Sequence, residues 1–100
     1  MRKIENIKKS VGLMISYNIS EIKRAKYIIR YHEDWNNNLR QKLKEGGLYP
    51  HKKLKIERTI HRNRVIIYGM SQYIVELRSD IKESQRRLSN NIKNNETGKK

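Results

Sequence analysis

The second half of the sequence places an aliphatic residue at every seventh position over five consecutive heptads. Such a repeat is typical of helices that pair along one apolar seam, because seven residues span about two helical turns. It predicts one long helix over residues 51–92. The predicted core and dimer positions are the members of this series and of a second position in the same heptad: Ile56, Ile60, Ile67, Met70, Ile74, Leu77, Ile81 and Leu88.

Residues 1–45 carry apolar side chains three or four positions apart, or at sums of such steps, which predicts a first helical arm. The series is Ile4, Ile7, Val11, Ile15, Ile22, Ala25, Ile29, Trp35, Leu39 and Leu43. Weak helix propensity at 10–12 and a capping-type segment at 34–38 leave a break in this arm, and hence three helices, as an alternative. Residues 46–50 predict a turn, because Gly46 and Gly47 suit left-handed geometry and Pro50 suits a helix start.

The expected fold is all-α: a long helical hairpin whose heptad-patterned helix dimerises into an antiparallel four-helix bundle. Dimerisation is expected because a two-helix hairpin of 100 residues buries little surface against the entropy of ordering the chain. Asn63, Ser84 and Asn91 occupy the second core position of the heptad, where they either fix register and partner choice or turn towards solvent. Residues 93–100 form a polar segment, expected to be a frayed tail.

The chain carries 24 Lys and Arg against 10 Asp and Glu, a formal net charge of +14. This excess predicts a polyanionic or acidic partner. The densest cluster spans both sides of the turn: Lys42, Lys44, Lys52, Lys53, Lys55, Arg58, Arg62 and Arg64. On a helix, Lys55, Arg58 and Arg62 share a face away from the isoleucine seam, free to meet phosphates, and Tyr49 in the turn is the ring best placed to stack on a base.

Catalytic and metal chemistry find little support in the sequence. There is no cysteine, and His32, Glu33 and Asp34 are adjacent, so that on a helix they point about 100° apart and do not converge on one ion. Gly46-Gly47 lacks the lysine ending of a phosphate loop. The sequence therefore predicts a protein that is not an enzyme and has neither cofactor nor metal. The short apolar runs and the absence of a signal-like segment predict a cytoplasmic protein that has no membrane partner.

Two functional hypotheses fit these features. The first is a small regulator that binds RNA or DNA through phosphate contacts, from a phage or mobile element of an AT-rich genome, as the abundance of Ile, Lys and Asn indicates. The second is an adaptor or inhibitor, such as a phage-encoded anti-host or anti-defence factor, that docks basic helices on an acidic surface of a host protein. A scaffolding helix within a virion or other large assembly is a third option.

Overall fold

The structure, a computed structural model, describes residues 2–97 and consists of two α-helices. Helix α1 spans Arg2–Glu45 and helix α2 spans Pro50–Thr97, and the described residues contain no strand. The all-α helical hairpin expected from the sequence is confirmed. Helix α1 is continuous through 10–12 and 34–38, so the three-helix alternative is wrong. Residues 93–97, which were expected to belong to a frayed tail, are helical, and the rest of that predicted tail, 98–100, lies outside the described residues.

The turn between the helices occupies residues 46–49 and uses the backbone freedom of two glycines. Gly46 and Gly47 have φ angles of 78° and 75°, in the left-handed region that side chains with a Cβ avoid. The carbonyl of Tyr49 then accepts hydrogen bonds from the backbone N–H groups of Lys52 and Lys53, each at 3.0 Å. Tyr49 is thus the N-cap of α2, and Pro50 is its first residue, where the missing N–H has no cost.

Replacing Gly46 and Gly47 by alanine is expected to destabilise the hairpin, by about 1 kcal/mol or more at each position, because alanine is strained at these φ angles. Gly69 is the matched control: it lies inside α2, and a Cβ added there meets no atom within 4 Å. Gly69→Ala is therefore expected to stabilise the chain by up to about 1 kcal/mol. Urea denaturation followed by circular dichroism measures both; a midpoint unchanged by Gly46→Ala and Gly47→Ala would contradict this account of the turn.

The chain divides into two compact units. The terminal unit comprises the described residues of 1–23 and 74–100, and the turn unit comprises Arg24–Tyr73. In the terminal unit the buried side chains are Asn18, Ile74, Leu77 and Ser84; in the turn unit they are Ala25, Asn36, Ile56, Ile60 and Asn63. Each unit therefore has a small core in which polar side chains are about as frequent as apolar ones.

The heptad prediction matches the burial pattern of α2. Of its eight core positions, four are buried (Ile56, Ile60, Ile74 and Leu77) and four are half-buried (Ile67, Met70, Ile81 and Leu88). The polar residues of the second core position divide: Asn63 and Ser84 are buried, whereas Asn91 is exposed. Their contribution to dimerisation stays a prediction.

The apolar series of α1 is less accurate as a guide to its buried face. Trp35, counted among the inward positions, is 42% exposed, and the next residue, Asn36, is 1% exposed. Asn18 is also buried, although it did not enter the series. The side chain of Ile4 lies outside the described residues. Reading only apolar residues therefore misplaced the inward position by one residue at 35–36.

Candidate nucleic-acid interface

The turn unit concentrates the exposed positive charge expected from the sequence. All nine residues predicted to bind nucleic acid are exposed: Lys42, Lys44, Tyr49, Lys52, Lys53, Lys55, Arg58, Arg62 and Arg64. Within the described part of the chain, none of the eight cations among them forms an ion pair with a carboxylate. The unit as a whole has twelve Lys and Arg against four Asp and Glu. Its positive charge is therefore largely available to an external anion.

Lys55, Arg58 and Arg62 form the face of this cluster that is best defined, and we call these three residues the α2 basic face. They lie three and four positions apart on one helix, so their side chains emerge on the same side. Ile56, Ile60 and Asn63, on the other side of α2, are buried. The basic face thus points away from the core of the turn unit, as the sequence predicted.

Apolar side chains and one acid accompany the α2 basic face. Leu54 is 48% exposed and Val65 is 58% exposed. A shallow depression on this side of the helix is lined by Glu57, Arg58, His61, Arg62 and Val65. The surface is therefore cationic but not purely polar, and its apolar component was not part of the predicted site.

The start of α2 adds to the positive potential of the cluster. Its first turn contains no acidic residue, while Lys52 and Lys53 lie beside the positive end of the helix dipole. Lys42 and Lys44 in the last turn of α1 are, in contrast, placed favourably at a negative helix end. An anion bound near Lys52 and Lys53 would relieve the repulsion that the first turn of α2 carries.

Tyr49 is 73% exposed, and its ring lies beside that of His51. The imidazole of His51 stacks on it, with ring centroids 6.0 Å apart and planes inclined by 12°. The Tyr49 ring therefore keeps exposed surface on which a base could stack beside His51.

The second basic segment, at Arg86 and Arg87, differs because an internal acid engages it. Arg86 donates to both carboxylate oxygens of Glu83, with Nη2–Oε1 and Nε–Oε2 distances of 2.7 and 3.2 Å, and Nε of Arg87 donates to Oε1 at 3.2 Å. The hydrogen bond from Arg86 is the main cause that lowers the pKa of Glu83. It raises the pKa of Arg86 in return. These two cations are therefore partly neutralised within the chain.

A hydrogen-bonded pair of asparagines connects the two helices inside the turn unit. Nδ2 of Asn63 donates to Oδ1 of Asn36 at 2.8 Å, and Nδ2 of Asn36 donates to the backbone carbonyl of Ile60 at 3.2 Å. Both side chains are 1% exposed. This pair holds α1 and α2 in one alignment beneath the basic cluster. Sequence reasoning singled out Asn63 but assigned Asn36 to a possible helix break.

The adjacent residues His32, Glu33 and Asp34 do not form a joint site. His32 is half-buried, and its Nδ1 lies 2.7 Å from the carbonyl oxygen of Ile28, so this nitrogen donates to the backbone. Glu33 and Asp34 are exposed on other sides of α1. Among the described residues, no group of His, Asp and Glu side chains is arranged to hold a metal ion.

Comparison with known proteins assigns no family to this fold and surface. No protein-family model matches the chain, and no curated protein or solved structure matches it. Between residues 2 and 97, neither helix has a stretch long and apolar enough to cross a bilayer.

Proposed function

We propose that the chain is a small, non-enzymatic regulatory protein that binds RNA or DNA through phosphate contacts. The observation that carries this proposal is the set of eight exposed cations at the turn end, none of them engaged by an internal carboxylate within the described residues. Phosphates are the partners that such cations neutralise most effectively, because binding releases the counterions condensed on the nucleic acid.

The spacing of the α2 basic face supports contact with several phosphates of one strand. Lys55 and Arg62 are seven residues apart, which corresponds to about 10 Å along a helix at 1.5 Å per residue. Along the axis of a duplex, three nucleotide steps of one strand rise by about the same distance, at roughly 3.4 Å each. Contacts of this kind position a protein on nucleic acid without reading base sequence, so we expect affinity with little sequence preference.

The sequence supplies the remaining parts of the proposal. The protein acts in the cytoplasm as a homodimer, without cofactor or metal, and originates from a phage or mobile element of an AT-rich genome. Two copies place two basic clusters on one particle, which raises affinity when both engage the same molecule.

The first experiment measures what the purified protein carries at low salt and in about 1 M NaCl, where the Debye length is near 3 Å. Nucleic acid that co-purifies at low salt and leaves at high salt supports the proposal, as judged by the ratio of absorbance at 260 and 280 nm. Anisotropy titrations with labelled single- and double-stranded RNA and DNA then give affinity as a function of salt. A steep linear fall of log K with log salt is expected; no binding to any of the four at low salt would overturn the proposal.

Docking on an acidic host protein is the second candidate, and the apolar residues of the basic surface favour it. Phosphates leave Leu54 and Val65 uncovered, whereas a protein surface buries such side chains among complementary charges. A pull-down from nuclease-treated lysate tests this role. One acidic protein retained at equal stoichiometry, and lost with Leu54→Ser and Val65→Ser, would support the adaptor over the nucleic-acid binder.

A further inference from the structure

Tyr49 presents an aromatic ring to water at a point of the chain that the backbone fixes. Among the residues whose burial the structure describes, it is the most exposed large hydrophobic side chain, at 73%. Its carbonyl caps the first turn of α2 through the N–H groups of Lys52 and Lys53, and Pro50, the next residue, restricts its backbone further. The ring is stacked with the imidazole of His51, which is exposed as well. The Tyr49 ring therefore adds little to the core, and little conformational entropy is lost when a ligand binds to it.

The charges around Tyr49 match those of a nucleotide. Residues 46–56 contain no acid. Three exposed lysines, which form no ion pair with another described residue, lie within five positions of the ring: Lys44, Lys52 and Lys53. Tyr31, by contrast, shares a surface depression with Asp34, whose carboxylate repels phosphates. An aromatic ring among unpaired cations is typical of surfaces that stack a base while they neutralise its phosphates.

The Tyr49 ring lies at one end of a row of cations that contains no second tyrosine or tryptophan. The α2 basic face begins six residues after Tyr49, about 9 Å along a helix, and extends about 10 Å further, from Lys55 to Arg62. Residues 50–67 contain no tyrosine, tryptophan or phenylalanine. Proteins that bind a single strand along its length offer stacking surfaces to successive bases. Here one base finds an exposed tyrosine, and the remaining contacts are made by cations with phosphates.

We infer that the nucleic acid bound by this chain has an unpaired nucleotide beside a duplex stem. The unpaired base stacks on Tyr49, Lys52 and Lys53 neutralise its phosphate, and the phosphates of the stem meet the α2 basic face. This inference rests on the proposed function and adds the class of nucleic acid to it. A hairpin loop, a bulge and a single-stranded overhang share this chemistry, in RNA and in DNA.

Base pairing determines whether a nucleic acid can use the Tyr49 ring. In a duplex, both faces of each internal base are covered by its neighbours, and side chains reach only the base edges in the grooves. An unpaired base exposes at least one face, and stacking on an aromatic ring tolerates any of the four bases. The stem supplies the regularly spaced phosphates that suit Lys55, Arg58 and Arg62. A stem with an unpaired base thus uses both parts of the surface, whereas the interior of a duplex uses only the cations.

Duplexes with matched overhangs test the inference, because an abasic nucleotide keeps its phosphate and lacks only the base. One duplex carries a short overhang with bases, and its match carries an overhang of the same length made of abasic nucleotides; both are prepared in RNA and in DNA. Anisotropy titration of the full chain is expected to show about tenfold tighter binding to the overhang with bases. Equal affinity of the natural chain for the matched duplexes would overturn the inference and leave the proposed function intact. No binding to any of them would overturn both.

Variants of Tyr49 assign the preference to its ring. Tyr49→Ala is expected to remove the tenfold preference and to leave binding to the abasic overhang unchanged, whereas Tyr49→Phe, which keeps a ring, should retain the preference. The cap of α2 uses the Tyr49 carbonyl, so both variants should keep the natural helix content in circular dichroism. Tyr68→Ala is the matched control and should retain the preference, because Tyr68 is 67% exposed in the same unit but lies far along α2 from the turn. A preference that survives Tyr49→Ala would refute Tyr49 as the stacking residue.

A fluorescent adenine analogue in the overhang reports stacking independently of affinity. Its emission falls when it stacks on an aromatic ring, so a decrease is expected when the natural chain or Tyr49→Phe saturates the duplex. With Tyr49→Ala at saturation, the emission should stay near that of the free duplex. Unchanged emission on saturation with the natural chain would show that the unpaired base does not stack on the protein, and the inference would be wrong.

Discussion

Replacing Lys55, Arg58 and Arg62 together by glutamate is expected to weaken binding to nucleic acid by about a thousandfold while helix content is retained. The three side chains are exposed, without an ion pair among the described residues, and on the side of α2 opposite its buried residues. Removing three charge-assisted hydrogen bonds of at least about 1.5 kcal/mol each reduces the binding free energy by more than about 4 kcal/mol, and each 1.4 kcal/mol is a factor of ten. The salt dependence of the remaining binding should also become shallower, by about one unit of slope for each phosphate that is no longer neutralised. Anisotropy titration against salt measures both quantities.

A matched control separates this local effect from the change in net charge. Lys9, Arg78 and Lys82 are exposed residues of the terminal unit, and replacing them by glutamate changes the formal charge by the same amount. The control triple variant is expected to lose much less affinity. Equal losses in the two triple variants would mean that binding depends on total charge and not on the turn-end cluster. Loss of circular dichroism at 222 nm in the first variant would instead show that its cations stabilise the fold.

Removing one partner of the asparagine pair is expected to produce the largest loss of stability from a single substitution. Asn63→Ala leaves Oδ1 of Asn36 without the donor that it has at 2.8 Å, in a position 1% exposed. A buried polar group without its hydrogen bond costs about 1–3 kcal/mol, and the vacated volume adds to that cost. Asn36→Ala is expected to act similarly, because it also removes the bond to the carbonyl of Ile60.

The double variant distinguishes a hydrogen-bonded pair from two independent core residues. Replacing Asn36 and Asn63 together by leucine removes both polar groups, and such an exchange is often neutral or stabilising. Its urea midpoint is therefore expected to exceed that of either single leucine variant. Light scattering should show a broader set of masses, because a core without polar residues no longer favours one alignment. If the loss of stability in the double variant equals the sum of the losses in the two single leucine variants, Asn36 and Asn63 are not coupled.

The heptad of α2 was sufficient to predict that helix and its buried side, since one strong period specifies both. Ile56, Ile60, Ile74 and Leu77 are buried at the positions that this period gives. The exposure of the cations was predicted by the same reasoning, because Lys55, Arg58 and Arg62 lie outside the apolar seam of α2. The turn was evident from two glycines followed by a proline, although Pro50 belongs to α2 and not to the turn.

The buried polar residues of α1 were not predicted from the pattern of apolar residues. Such a pattern does not identify a polar side chain that can be buried because a hydrogen bond satisfies it. Asn36 lies in a run of polar residues with poor helix propensity, which favoured a break. Its position three residues before Leu39 and seven after Ile29 was the available signal, since both spacings belong to a helical seam. The same one-residue difference places the aromatic residues of α1. Because Asn36 and not Trp35 is the buried residue, Trp35 lies on the exposed side of α1.

The two turn glycines also determine whether each hairpin closes on itself or exchanges helices with a second copy. In an exchanged dimer, α1 would pair with α2 of the other chain. Asn36 would then form with Asn63 of that chain the same hydrogen bond that it forms with Asn63 of its own chain in the hairpin. The asparagine pair selects the alignment of the helices but does not select which chain supplies them. A hairpin closes within one chain because the left-handed conformation of Gly46 and Gly47 lets the backbone reverse its direction between α1 and α2. Substitutions that extend α1 through these residues would therefore convert hairpins into domain-swapped dimers with the same core.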